Sequence, residues 1–140
     1  MIIKLLKILL ITIFLPNILH AKSKYFEDWI DFFKEKKFKE AKFKFEQDIV
    51  YNPKSELSYL YLSKIFNRQD KKKLEEQNLR AVMLLNPKNE EAIYFLAKLK
   101  LSTSDFKQSK ELNKRLKSLC RKFCNQSDKL KIDIENLSKK

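Results

Sequence analysis

The sequence predicts an all-α fold: a short α-solenoid of about three helical hairpins, closed by a C-terminal capping helix. Three observations carry this reading. Glycine is absent from all 140 residues, which removes the residue that tight β-hairpin turns most need. The phrase Asn52-Pro53-Lys54-Ser55-Glu56 returns 34 residues later as Asn86-Pro87-Lys88-Asn89-Glu90. Between these phrases, stripes such as Tyr59, Leu62, Ser63 and Phe66, or Phe38, Ala41, Phe45 and Ile49, follow helical spacing.

Residues 1–21 are set apart from the fold. Lys4 and Lys7 give a positive start, Ile8 to Leu15 is an apolar run broken by Thr12, and Pro16 and Asn17 end it. Ala21 offers a small residue at a cut, so the segment reads as a secretory signal peptide, with the mature chain starting near Lys22. The apolar run is shorter than the about 20 residues that a membrane span needs. Export to the periplasm is the expectation, and an uncleaved N-terminal membrane anchor is the alternative.

Composition excludes most chemistry. Without glycine there is no phosphate-binding loop and no nucleophile elbow. The single histidine, His20, falls in the leader, which leaves no imidazole for acid–base work or zinc. No enzyme activity, no cofactor and no metal are expected. The formal charge is +13. Lysine dominates it, interleaved with acid along the chain as on solvated helix faces, so nucleic acid is not expected as a partner. Association of a basic helical protein with an anionic membrane surface or polyanion is the alternative reading of function.

The repeat places each element in turn. Proline bars the α conformation from the residue before it, so Asn52 and Asn86 end helices. Ser55 and Asn89 then read as N-caps, with Glu56 and Glu90 in first turns where the helix dipole favours acid. The period also aligns Tyr25 with Tyr59 and Ile93, Phe32 with Phe66, and Leu62 with Leu96. Helices are expected over about 23–35, 38–50, 55–67, 70–84, 89–101 and 104–120. A last one, over about 128–138, has Ser127 as its cap and Leu130, Ile134 and Leu137 on one face. No hairpin buries its stripe alone, so hairpins stack and the end needs a cover. The organisation is therefore a leader over 1–21, repeats over 22–55, 56–89 and 90–123 within a 22–126 domain, and a capping segment over 127–140.

Cys120 and Cys124 are the two cysteines, and they fall between the third repeat and the capping helix. An even count in an exported chain favours a disulfide that staples this turn; two free thiols are the alternative. Three intervening residues do not match a thioredoxin-type redox pair, which has two.

On these residues the chain resembles the tetratricopeptide repeat family, whose unit is a helical hairpin of 34 residues. Tyr25, Phe32, Phe38, Ala41, Phe45 and Pro53 carry the likeness in the first unit. Tyr59, Leu62, Ser63, Phe66 and Pro87 carry it in the second, and Leu96, Ala97, Phe106 and Ser109 in the third. Trp29, Asp48, Lys72, Glu75, Lys100 and Arg121 depart from the family pattern. The resemblance implies a concave groove, lined by the first helices, that holds a peptide or another protein. Helical periodicity leaves a second face on each first helix beside its core stripe. Tyr61, Lys64, Asn67 and Arg68 fall there in the second unit, and Tyr94 and Lys98 in the third. The aromatics suit an apolar side chain of a partner, and the cations a carboxylate; the same cations also fit a plain solvated face. The expected role is an exported interaction scaffold, an accessory factor of an envelope complex.

Overall fold

The computed structural model describes residues 24–139, so the leader expected over 1–21 lies outside the described residues. Seven helices follow one another: α1 (Lys24–Lys34), α2 (Phe38–Tyr51), α3 (Glu56–Arg68), α4 (Lys72–Leu85), α5 (Glu90–Ser102), α6 (Phe106–Leu119) and α7 (Cys124–Leu137). No strand occurs among the described residues. The chain forms two compact units, one ending at Ala41 and one starting at Lys42.

The first unit holds α1 and the first turn of α2. Phe33 meets Phe38 edge-on across their turn, with ring centroids 5.6 Å apart, and Phe26 tilts against Trp29 at 5.5 Å. In the second unit α3 packs on α4, α4 on α5, α5 on α6, and α7 on both α6 and α5. One core cluster joins Leu60, Leu79, Val82, Ala92, Leu96 and Leu99, with Leu112 packed against it. A second joins Ala97, Leu130 and Ile134, again with Leu112 alongside. Leu112 thus ties the third hairpin both backward and forward.

The turns inside the hairpins show how a chain without glycine reverses direction. Lys36, Asp70 and Ser104 have φ of 61°, 52° and 60°, and they are spaced by the 34-residue period. At each, the helix closes with two backbone bonds: Lys37 N–H to Phe32 O, Lys71 N–H to Phe66 O and Asp105 N–H to Lys100 O reach back across the last turn. Lys36, Asp70 and Ser104 N–H donate to Phe33, Asn67 and Leu101. This is the Schellman closure, whose left-handed residue is usually glycine. A Cβ there costs about 1–2 kcal/mol.

The turns between hairpins divide the work differently. Ser55 N–H donates to Asn52 O at 3.0 Å and Asn89 N–H to Asn86 O at 3.1 Å, closing the two proline turns. Asn89 caps α5 by accepting from Ala92 N–H at 2.8 Å. Ser55 holds the N-cap position of α3 without a side-chain capping bond: its hydroxyl donates to Ser58 Oγ at 3.0 Å, and Ser58 donates to Asp48 at 2.5 Å. Asp48, a departure from the family pattern, is thereby held by the following hairpin. The last helix begins at Cys124, earlier than expected, and Ser127 is buried within it rather than capping it. Its Oγ donates to Asn113 Oδ1 at 2.9 Å, so packing against α6 outweighs the local capping preference. Cys124 lies one period after Glu90, as Glu90 does after Glu56, so α7 occupies the phase of a further first helix.

Candidate functional site

The expected partner-binding residues all lie on α3 and α5 of the second unit. Tyr61 stacks on the buried Phe45 ring at 5.1 Å, nearly parallel at 14°. The Lys64 ammonium sits 4.7 Å from the centre of the Tyr61 ring and pairs with Glu91 at 2.7 Å, bridging α3 to α5. Both side chains of this pair are mostly covered, so Lys64 is a link between first helices as much as a surface cation. Asn67 turns toward its own hairpin: Nδ2 lies 3.1 Å from each oxygen of Glu75. Arg68, in the last turn of α3, is exposed and has no ion pair among the described residues. On α5, Tyr94 packs between Phe95 and Phe123 at 5.4 and 5.5 Å, and Lys98 lies 5.6 Å over the Tyr94 ring. The structure therefore brings Tyr61 with Lys64, and Tyr94 with Lys98, as two aromatic–cation pairs. Arg68 and Lys98 remain open to solvent, Asn67 is exposed but tied to Glu75, and Lys64 is engaged within the fold.

Two carboxylates gain roles that spacing alone did not assign. Glu75 stands where the fully buried Ala41 and Ser109 stand in the other repeats. It is buried. Burial pushes its carboxyl above the ordinary value, Asp70 adds to the rise, and Asn67, Lys72 and Lys98 oppose it. In the third repeat Ser109 Oγ donates to Ala97 O at 2.8 Å at the same crossing, so one hairpin closes through a hydroxyl and the other through a carboxylate–amide pair. Glu90 accepts from the backbone N–H groups of Arg121, Lys122 and Phe123, each at 2.9 Å. These bonds, led by that of Phe123, hold its carboxyl below the ordinary value. Its counterpart one period earlier, Glu56, accepts from the side chains of Asn86 and Asn89. Both acids thus reach from the start of a repeat to the turn that ends it.

That third turn lacks the Asn and Pro of the other two. Cys120 and Cys124 are joined there by a disulfide, with Cα atoms 5.2 Å apart. Cys120 caps α6 and Cys124 opens α7, so the bridge spans the turn rather than lying within a helix. Lys100, in place of the family's aromatic, is mostly covered and pairs with Glu76 at 2.7 Å. Burial opposes ionisation of Glu76, but Lys100 and Arg80 together hold its carboxyl below the ordinary value. No cluster of three or more His, Cys, Asp or Glu side chains suited to a metal occurs among the described residues. No described helix is long and apolar enough to cross a membrane.

No family model matches this sequence and no curated protein matches it. Solved structures do match it in shape. The chain is similar to the first TPR domain of Spaghetti (RPAP3), solved bound to the HSP90 peptide SRMEEVD, at 16% identity and a TM-score of 0.71 over 80% of this chain and 89% of that one. It is also similar to the Yersinia enterocolitica type III secretion chaperone SycD in complex with a peptide of the translocator YopD, at 12% identity and a TM-score of 0.73 over 81% and 89%. A further structure of SycD aligns at 12% identity and a TM-score of 0.71 over 81% of each chain. With its hairpins in series on a 34-residue period, this chain has the tetratricopeptide-repeat-like fold, an all-α helical solenoid.

Proposed function

We propose that this protein is an exported interaction scaffold, not an enzyme, which holds a peptide or an extended segment of another protein on the first-helix face of α3 and α5. The observation that carries this reading is the set of solvent-open groups on that face: Arg68, and Lys98 above Tyr94. An aromatic beside an exposed cation suits a partner segment bearing an apolar residue and a carboxylate. The similar RPAP3 and SycD structures, each solved with a peptide, support the same use of the fold. Export rests on the leader over 1–21, and the oxidised cysteine pair fits that compartment. If the chain is exported, its likeness to small repeat proteins supports an accessory role in an envelope complex.

The test uses immobilised protein and an envelope extract, with bound proteins identified by mass spectrometry. The unaltered chain should retain a discrete partner at physiological salt. The double variant Arg68→Glu/Lys98→Glu should lose it while its circular dichroism melt stays nearly unchanged, because exposed side chains contribute little to folding. Lys64 is left intact, since reversing it sets two carboxylates against each other at Glu91. Retention of the same partner by the variant excludes this face. Loss of all binding by the unaltered chain at physiological salt would favour diffuse attraction to anionic surfaces. The N-terminal residue of the exported protein, read by mass spectrometry, should lie near Lys22; an intact Met1 contradicts cleavage.

A further inference from the structure

We infer that the C-terminal end of the second unit is a second docking site, shaped for an acidic amphipathic helix of a partner protein. The argument starts from phase. Because α7 begins one period after α5, it stands as a first helix, yet among the described residues no second helix covers it. In the two hairpins before it, α4 lies on α3 and α6 lies on α5. At the corresponding place beside α7 there is instead an open cleft of about 690 Å³ between α6 and α7. Its lining runs from Phe106 to Ser118 on one bank, about three helical turns at 1.5 Å per residue.

The chemistry of the cleft selects the occupant. The half-buried Phe106 and the small exposed edge of the core residue Ile134 make up its apolar strip. The buried polar atoms between them are already matched, because Ser127 Oγ donates to Asn113 and Asn113 Nδ2 donates to Ser127 O at 3.0 Å. An apolar stripe laid there leaves none of these atoms without a partner. Along the α6 bank, Lys107, Lys110 and Lys114 are exposed, line the cleft, and hold no ion pair among the described residues. Their i, i+3, i+7 spacing puts them in one row on the helix. The cleft's own acids are already facing lysines: Asp128 pairs with Lys117 at 2.7 Å and Glu135 approaches Lys131 at 3.9 Å. The uncompensated charge is therefore positive. Lys131 also stands where Ser63 and Ala97 stand in the earlier repeats. A second copy of this chain, at +13, brings charge of the wrong sign. An amphipathic helix with acid beside its apolar stripe satisfies both the strip and the lysine row.

The test is fluorescence anisotropy of the full chain with a labelled, helix-stabilised synthetic peptide of about 14 residues, long enough for the cleft. The peptide carries Leu at i, i+3 and i+7 with Glu along one flank. A scrambled peptide of identical composition, without the stripe, is the control. Binding of the first peptide should weaken about tenfold or more in Lys107→Glu/Lys110→Glu/Lys114→Glu. The exposed lysines outside the cleft, in Lys54→Glu/Lys73→Glu/Lys88→Glu, should change it by less than about twofold. Arg68→Glu/Lys98→Glu should leave it unchanged, which separates this site from the first-helix face. The milder Lys110→Gln/Lys114→Gln should fall between, and circular dichroism verifies the fold of each variant. Equal losses in the two triple variants, equal binding of the scrambled peptide, or no binding at all would overturn the proposal. So would sedimentation showing a dimer whose cleft amides are protected from hydrogen exchange.

Discussion

Two glutamates show how position within a repeat sets the behaviour of a carboxyl. Glu90 is ionised against three backbone N–H groups, and its lowered value means that its stabilising contribution is fully present above the ordinary 4.5 and is lost as pH falls through the lowered value. Glu90→Gln should therefore lower the urea midpoint at pH 7, and the gap to the unaltered protein should narrow on acidification below 4.5. Glu75 runs the other way. Burial raises it, so ionisation at neutral pH costs stability that the neutral acid does not; the cost sets in as pH rises through the ordinary 4.5 and is complete above the raised value. Glu75→Gln should raise the urea midpoint at pH 7 while keeping a hydrogen bond from Asn67, and the gain should vanish below 4.5. A gain that persists unchanged at acid pH would point to packing rather than charge. Neither role was legible from spacing. Glu90 was readable as a first-turn acid, but its partners lie 31 to 33 residues away. Glu75 was visible only as a departure from the family pattern, without the Asn67 amide that accommodates it.

At the scale of elements, the turns carry the tests. Ser104 occupies a left-handed position at φ 60°, where only glycine is free of the Cβ clash. Its hydroxyl makes no hydrogen bond among the described residues, so Ser104→Gly should stabilise by about 1 kcal/mol, less the extra unfolded-state entropy of glycine. A rise in the thermal midpoint checks this; a fall means that the turn is relaxed with serine. The third inter-repeat turn depends on the Cys120–Cys124 bridge and on Glu90 in place of an Asn-Pro phrase. Its closed loop is short, so the bridge should contribute about 2 kcal/mol or less. Reduction should speed hydrogen exchange in α7 and leave α3 to α5 nearly as protected as before. Uniform loss of protection would show that α7 and the hairpins fold as one inseparable unit. Helix placement was readable from the stripes because burying one face imposes a 3.6-residue period. The start of α7 was not, because Ser127 looks like a cap locally and is claimed instead by Asn113 from α6.

For the whole molecule, like charges spread over a small fold repel one another. A net +13 should make stability rise with screening: the thermal midpoint is expected to climb by a few degrees between about 50 and about 300 mM NaCl. A flat response would mean that local pairs, such as Lys64–Glu91 and Lys100–Glu76, already compensate the surplus. The all-α class, the 34-residue period and the hairpin register were set by the residues in line, since proline punctuation and helical periodicity act over a few neighbours. Which surface groups stay free was decided only when helices met. Lys64 and Asn67 are drawn into contacts with Glu91 and Glu75, whereas Lys107, Lys110 and Lys114, which read as an ordinary solvated face, border a cleft. A helix wheel records the direction of a side chain but not what the next helix places opposite it. Partner charges and open clefts arise from the stacking of one hairpin on another.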